Sequence, residues 1–170
     1  RPVEHSHFLG LPENKSKVFV KNTGTGALLQ EFPNEKSVTS TALSGDGKTL
    51  VAVETHYGEE TSVVTVRNGD TGALLQRFDH ENLVTSSSLS GDAKTLVTVE
   101  TDYRAQTSVV LIRHVQPVAR LQVFKHEPVV SDSCLSEDGK TLVVVKNERK
   151  VFVRNVDTGT TLQKFKHTCN

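Results

Sequence analysis

Residues 37–53, SVTSTALSGDGKTLVAV, decide the fold. Two runs rich in Val, Leu, Thr and Ser flank the turn Gly45-Asp46-Gly47-Lys48. Such runs suit a pleated, half-buried sheet, while Asp bonds its own backbone and Gly accepts positive φ, so the segment reads as a hairpin. The turn recurs: SGDGKTL begins at Ser44, SGDAKTL at Ser90 and SEDGKTL at Ser136, in two steps of 46 residues. A second motif keeps the same beat. TGALLQEF ends at Phe32, TGALLQRF at Phe78, VARLQVF at Phe124 and TGTTLQKF at Phe165, in steps of 46, 46 and 41. Two separate motifs on one spacing define an internal repeat.

Each unit holds four runs of strand character. In the second complete unit they are residues 84–89, 95–100, 108–113 and 119–124. Asp-Thr-Gly at Asp70 and at Asp157 marks another turn, and no stretch keeps a helical period of 3.6. Four strands recurring at about 40–45 residues predict an all-β propeller of four-stranded antiparallel blades. Three units are complete; residues 18–22 and 27–32 match only the last two strands of a leading blade, and 8–11 falls where its second strand belongs. The expected division is 1–35 for the partial leading blade, 36–79, 80–125, and 126–170 for a blade with the C-terminal tail.

These residues carry a resemblance. SVTSTALSGDGKTLVAV and PVVSDSCLSEDGKTLVVV resemble the first two strands of a WD repeat, and VFVRNVDTGTTLQKFKH the last two. The likeness extends over nearly the whole chain after Phe8 and is specific for the fold. The family's Trp-Asp pair is missing: Lys21, Arg67, Arg113 and Arg154 hold the Trp position, and Asn22, Asn68, His114 and Asn155 the Asp position. The resemblance implies that His80, His126 and His167 keep the place of the family's Gly-His histidine. The four basic residues are expected to lay their stems over apolar neighbours with the charge in water; a shared binding role is the other reading.

Twenty basic residues balance twenty acidic ones, so no charge excess draws the chain to nucleic acid. No window approaches the roughly 18 unbroken apolar residues of a membrane span. Cys134 and Cys169 make no disulfide framework, and Cys134 is expected to be a small buried strand residue. The chain starts Arg-Pro and has no Met, as expected of a processed form, a fragment or an incomplete sequence; its one sequon is Asn14-Lys15-Ser16.

Residues 54–61 and 100–107 are expected to form long loops between second and third strands, on the same face as the inter-blade loops carrying Asn34-Glu35, His80-Glu81 and His126-Glu127. The third unit has only Asn147-Glu148-Arg149 there, which explains the step of 41. Exposed loops on a rigid scaffold are where binding concentrates, and Tyr is a favoured interface residue. The candidate partner-contact residues are therefore His56, Tyr57, Glu59, Glu60, His80, Tyr103, Arg104 and His126. The competing reading is a solvated hairpin whose tyrosines cover their own blade.

A metal centre is not expected. His5 and His7 lie close together, but zinc needs three or four converging ligands, and His80, His126 and His167 belong to different blades. No nucleophile elbow, phosphate loop, dinucleotide fingerprint or calcium loop is present, and Asp132, where other units place Ser40 and Ser86, reads as a buried local hydrogen-bonding residue. No cofactor is implied. Together with the resemblance, this points to a non-enzymatic protein-interaction scaffold, a subunit or segment of a larger assembly. The alternative is a ligand- or carbohydrate-binding, lectin-like propeller using loops repeated in each blade. Glu-Thr-x-Tyr at Glu54 and Glu100 is the one such recurrence. An enzyme built on a complete ring is a third.

An open arc of blades leaves apolar terminal faces. Three solutions are expected, in this order: a longer propeller, a protein partner or second copy completing a ring of seven or eight blades, or closure as a four-bladed ring.

Overall fold

The computed structural model describes residues 16–34, 36–126, 128–146 and 150–166. They form fourteen strands, and among them no helix is long and apolar enough to cross a membrane. Strands β1 (Lys17–Lys21) and β2 (Leu28–Pro33) pair as a two-stranded sheet. Three four-stranded antiparallel sheets follow in chain order. The first is β3 (Ser37–Leu43), β4 (Thr49–His56), β5 (Thr61–Asn68) and β6 (Leu74–His80). The second is β7 (Leu83–Leu89), β8 (Thr95–Asp102), β9 (Thr107–His114) and β10 (Ala119–His126). The third is β11 (Val130–Leu135), β12 (Thr141–Lys146), β13 (Lys150–Asn155) and β14 (Thr161–Lys166).

Residues 8–11, His5, His7, Asn14, Lys15, Glu35, Glu127, Asn147, Glu148, Arg149, His167 and Cys169 lie outside the described residues, so the expectations placed on them stay with the sequence.

Each four-stranded sheet is a meander with its strands paired in chain order, and local chemistry fixes the turn between its first two strands. In the first, Ser44 donates its hydroxyl to Asp46 at 2.7 Å, Asp46 accepts the Lys48 N–H at 2.9 Å, and Ser44 Oγ accepts the Thr49 N–H at 2.9 Å. The same bonds recur around Ser90 and Asp92, and around Ser136 and Asp138. They hold the carboxyls below the ordinary aspartate value, through the Lys48 N–H first at Asp46 and the Ser hydroxyl first at Asp92 and Asp138. At the second turn Asn68 Oδ1 accepts the N–H groups of Asp70 and Thr71, both at 2.9 Å. Asn22 bonds Gly24 and Thr25 alike, and Asn155 bonds Thr158. The Asn at the family's Asp position is thus a turn cap.

The first strands converge: β3 lies beside β7 and β7 beside β11. Ser40 meets Ser87 at 2.8 Å and Ser86 meets Ser133 at 2.9 Å. The core fills the spaces between sheets. Val51, Val53, Val64, Val66 and Phe78 of one sheet pack against Val84, Leu89, Leu96 and Val115 of the next. Val97, Val99, Val110 and Ile112 then pack against Val130, Leu135, Leu142, Val144 and Val156. Val18 and Phe32 pack on Leu50 and Ala52. Strand alternation gives the two inner sheets, β3–β6 and β7–β10, one face toward the sheet before and one toward the sheet after.

Two expectations change here. Cys134 is on a strand, as read, but it is exposed. The Cys sits where its counterpart Ser88 turns toward the next sheet, accepting the Leu135 N–H at 3.0 Å, and among the described residues no sheet follows β11–β14 to cover it. Asp132 is likewise exposed rather than buried. It does bond locally, accepting the Ser133 N–H at 2.8 Å.

Candidate functional site: hairpin tips and blade joints

The expected long loops are shorter than they read. The β4–β5 ladder continues through Thr55–Ser62 and His56–Thr61, and the β8–β9 ladder through Thr101–Ser108 and Asp102–Thr107. Only residues 57–60 and 103–106 remain as tips. Ser37 pairs with Thr55 and Ser62 with His80, so tips and inter-blade connections share one end of the sheet. Tyr57 is 64% exposed and Tyr103 54%, so neither covers its own blade. Arg104 Nη2 lies 2.6 Å from Glu60 Oε2 and ties the two tips together, while His56 lies 3.7 Å from Glu59. Five of the eight candidate residues, Tyr57, Glu59, Glu60, Tyr103 and Arg104, thereby occupy two adjacent tips, and His56 ends the strand leading into the first.

The LQxF motif has a role that the sequence did not disclose. Gln and Phe, two residues apart on a strand, share the face toward the following sheet. Gln30 donates to the Asp70 carbonyl and Gln122 to the Asp157 carbonyl, each in the turn of the next blade. The Phe ring lies under that blade's basic residue: the Arg113 guanidinium is 4.8 Å from the Phe78 centroid, and that of Arg154 is 4.8 Å from Phe124. Arg67 and Arg154 also donate to the Gly72 and Gly159 carbonyls at 3.2 and 3.1 Å. At Gly72, with φ +74°, a Cβ would stand 2.8 Å from the Phe32 ring, so only Gly lets the ring approach. The basic residues at the old Trp position are thus joint residues, half-buried between blades in Arg67, Arg113 and Arg154 and exposed in Lys21. A planar guanidinium stacks where the family's Trp would.

No protein-family model matches the chain, and no curated protein matches it in sequence. Solved structures do. The WD40 repeats of RRP9 and the structure of U3-55K each superpose with a TM-score of 0.62 at 19% identity, covering 77% of this chain and 39% of theirs. The fold is that of a WD-repeat propeller. The chain spans about two fifths of the length of these two structures.

In this WD-repeat-like arc the inter-blade histidines are interior groups. His80 and His126, expected on the loop face, are 3% and 2% exposed and offer no surface to a partner. The reason is ladder length: His80 pairs with Ser62 and His126 with Ser108, so both end a strand rather than enter a loop. His80 Nδ1 bonds Glu100 Oε1 of the next blade. At the next joint Lys146 stands in place of Glu100, and His126 loses its acceptor. Burial, then the charges of Lys146 and Arg154, lower the His126 pKa to about 4. His126, Lys146, Lys125, Glu100, Asp102 and Asn82 border a cleft of about 530 Å³ between the second and third blades. Among the described residues no group of three His, Cys, Asp or Glu side chains is placed to hold a metal ion.

A pH dependence follows. Between about pH 6.5 and pH 4 the unfolded chain protonates His126 and the folded chain does not, so stability falls as pH drops through that window. The expected loss is about 1–3 kcal/mol, allowing for partial solvent screening. Urea unfolding of the wild type and His126→Gln at pH 7 and pH 5 measures it; the variant should lose less stability between the two. Loss from Asp46, Asp92 and Asp138 comes only as pH falls through their lowered values, below this window. Equal losses in both proteins would remove His126 as the cause.

Proposed function

We propose that this chain is a non-enzymatic protein-interaction scaffold that engages its partner through the two hairpin tips. The observation that carries this reading is the pair of exposed tyrosines, Tyr57 and Tyr103, on adjacent tips bridged by the Arg104–Glu60 ion pair. Aromatic side chains at a surface give large contact area and are enriched among residues that dominate interfaces. Glu59, Glu60, Arg104 and His56 surround them with charge of both signs, which suits a polar rim. The likeness to WD40 structures supports a scaffold in general terms; the partner, and whether the chain is a subunit or a segment of an assembly, rest on the proposal.

The lectin-like alternative is left with less. Of the recurring Glu-Thr-x-Tyr, Thr55 and Thr101 are buried, with hydroxyl contacts to Ser62 at 3.4 Å and Ser108 at 2.9 Å, and Glu100 bonds His80. The tyrosines are the members of the motif that stand exposed in both blades. The test is capture of partners from the native source by the wild type and by Tyr57→Ala/Tyr103→Ala. The double variant should keep the wild-type unfolding midpoint and bind the captured partner at least about 30-fold more weakly. Undiminished capture refutes the tip reading.

A further inference from the structure

The chain carries no net charge, yet one face of its third four-stranded sheet gathers cations. Lys150, Phe152 and Arg154 alternate along β13 and share a face. Arg154 stacks on Phe124, so that face looks toward the second four-stranded sheet. Lys150 stands directly opposite Lys146 on β12 and Lys166 on β14, and Phe152 stands opposite Lys164. Three lysines therefore form one row across the sheet. The same row holds Glu54, Val63 and Asp79 in the first four-stranded sheet, and Glu100, Val109 and Lys125 in the second. Like charges directly opposite one another destabilise a sheet, so the lysine row weakens the fold that carries it.

No carboxylate of the described residues answers these charges. Lys150, Lys164 and Lys166 are exposed and Lys146 is half-buried, and among the described residues none of the four forms an ion pair. Burial, then the charges of Arg154, Lys150 and Lys164, lower the Lys146 pKa. Glu100 and Asp102 border the same cleft as Lys146, but Glu100 is held by His80, and Asp102 accepts the N–H groups of Arg104 and Ala105. The joint itself is short of a carboxylate. At the preceding joint Glu100 meets His80 Nδ1, leaving Nε2 as the one unpartnered ring nitrogen. At this joint Lys146 holds the place of Glu100, and neither ring nitrogen of the buried His126 has a partner among the described residues.

We propose that the Lys146–Lys150–Lys166 row docks an acidic peptide segment of a partner protein, with one of its carboxylates entering the cleft beside Lys146. His126 offers no surface, but the cleft of about 530 Å³ that it borders admits a single side chain in the role Glu100 plays one joint earlier. Peptide carboxylates suit the row better than a nucleic acid does. Single strands bind by stacking bases on aromatic rings. The ring of Phe152 is already engaged by Lys146 Nζ and Lys164 Nζ, each 5.1 Å from its centroid. This surface does not depend on the tip reading, because Tyr57 and Tyr103 belong to the other two four-stranded sheets.

Fluorescence anisotropy of a labelled oligoglutamate of about ten residues, long enough to run past both ends of the row, tests it at low salt with the 170-residue chain. The wild type should bind. Lys150→Glu/Lys166→Glu relieves like-charge contacts at exposed positions, so it should unfold no more easily than the wild type and bind at least about tenfold more weakly. Lys146→Glu rebuilds within the chain the pair seen at His80; it should lose the peptide while keeping or raising the unfolding midpoint. Lys48→Glu/Lys94→Glu makes the same change of net charge on exposed turns at the opposite end of the sheets, and should leave binding within about threefold of the wild type. Absence of binding, equal weakening by the Lys48/Lys94 pair, or indifference to Lys146→Glu overturns the proposal. Tighter binding of an oligothymidylate of equal charge also overturns it and assigns the face to nucleic acid.

Discussion

Phe78→Ala lowers the free energy of unfolding by about 3–5 kcal/mol, the range for a buried aromatic truncated to a cavity. The ring is 9% exposed and belongs to the cluster of Val51, Val53, Val64, Val66, Val84, Leu89, Leu96 and Val115. Those residues come from two sheets, so the cavity opens at the seam between blades. The substitution also removes the ring face beneath the Arg113 guanidinium, adding about 0.5–2 kcal/mol to what apolar area alone gives. Phe78→Leu separates the contributions: it keeps most of the volume and loses the π face. Equilibrium urea unfolding with the m-value monitored reads both. A loss below about 1 kcal/mol for Phe78→Ala shows that the blades do not meet through this ring.

Gly72→Ala costs about 2–3 kcal/mol from two sources that act together. The residue has φ +74°, where an L side chain costs about 1–2 kcal/mol. The new Cβ would also lie 2.8 Å from Phe32 Cε1, so the ring must withdraw from its seat on the next blade. Phe32 holds the two-stranded sheet to Leu50 and Ala52, so withdrawal loosens residues 17–33 before anything else. Hydrogen exchange should show those amides losing protection while β7–β10 keep theirs. Uniform loss of protection across all sheets contradicts a seam at Gly72.

Much of the fold is legible in the sequence because a repeat displays its own period. In the second complete unit the runs 84–89, 95–100, 108–113 and 119–124 fall within two residues of β7–β10, since a self-contained Ser-Asp-Gly turn needs no tertiary partner. What the sequence hides is everything made between units. Gln30 meets Asp70 forty residues away, and the ring of Phe78 meets Arg113 on the next sheet. Periodicity shows that LQxF recurs and does not say which face it serves. His80 and His126 read as loop residues because polar neighbours follow them, yet their ladders run on and bury them. The exposure of Cys134 turns on the absence of a described sheet after β11–β14, which a strand pattern does not display. At the candidate site the two tyrosines were readable as loop residues, with covering of their own blade as the competing reading, and both are exposed. The Arg104–Glu60 pair that joins them was not, because it links two blades.

The account rests on blades joined by a Phe of one sheet stacked beneath an Arg of the next, and a double-mutant cycle tests that joint most directly. Phe124 and Arg154 are the pair to use: Arg154 Nε is buried with no hydrogen-bond partner among the described residues, so the ring face is its compensation. Stabilities of the wild type, Phe124→Leu, Arg154→Met and the double variant, all in one buffer, give the coupling energy. The predicted result is a favourable coupling of about 0.5–2 kcal/mol. Additive effects, within about 0.3 kcal/mol, contradict it.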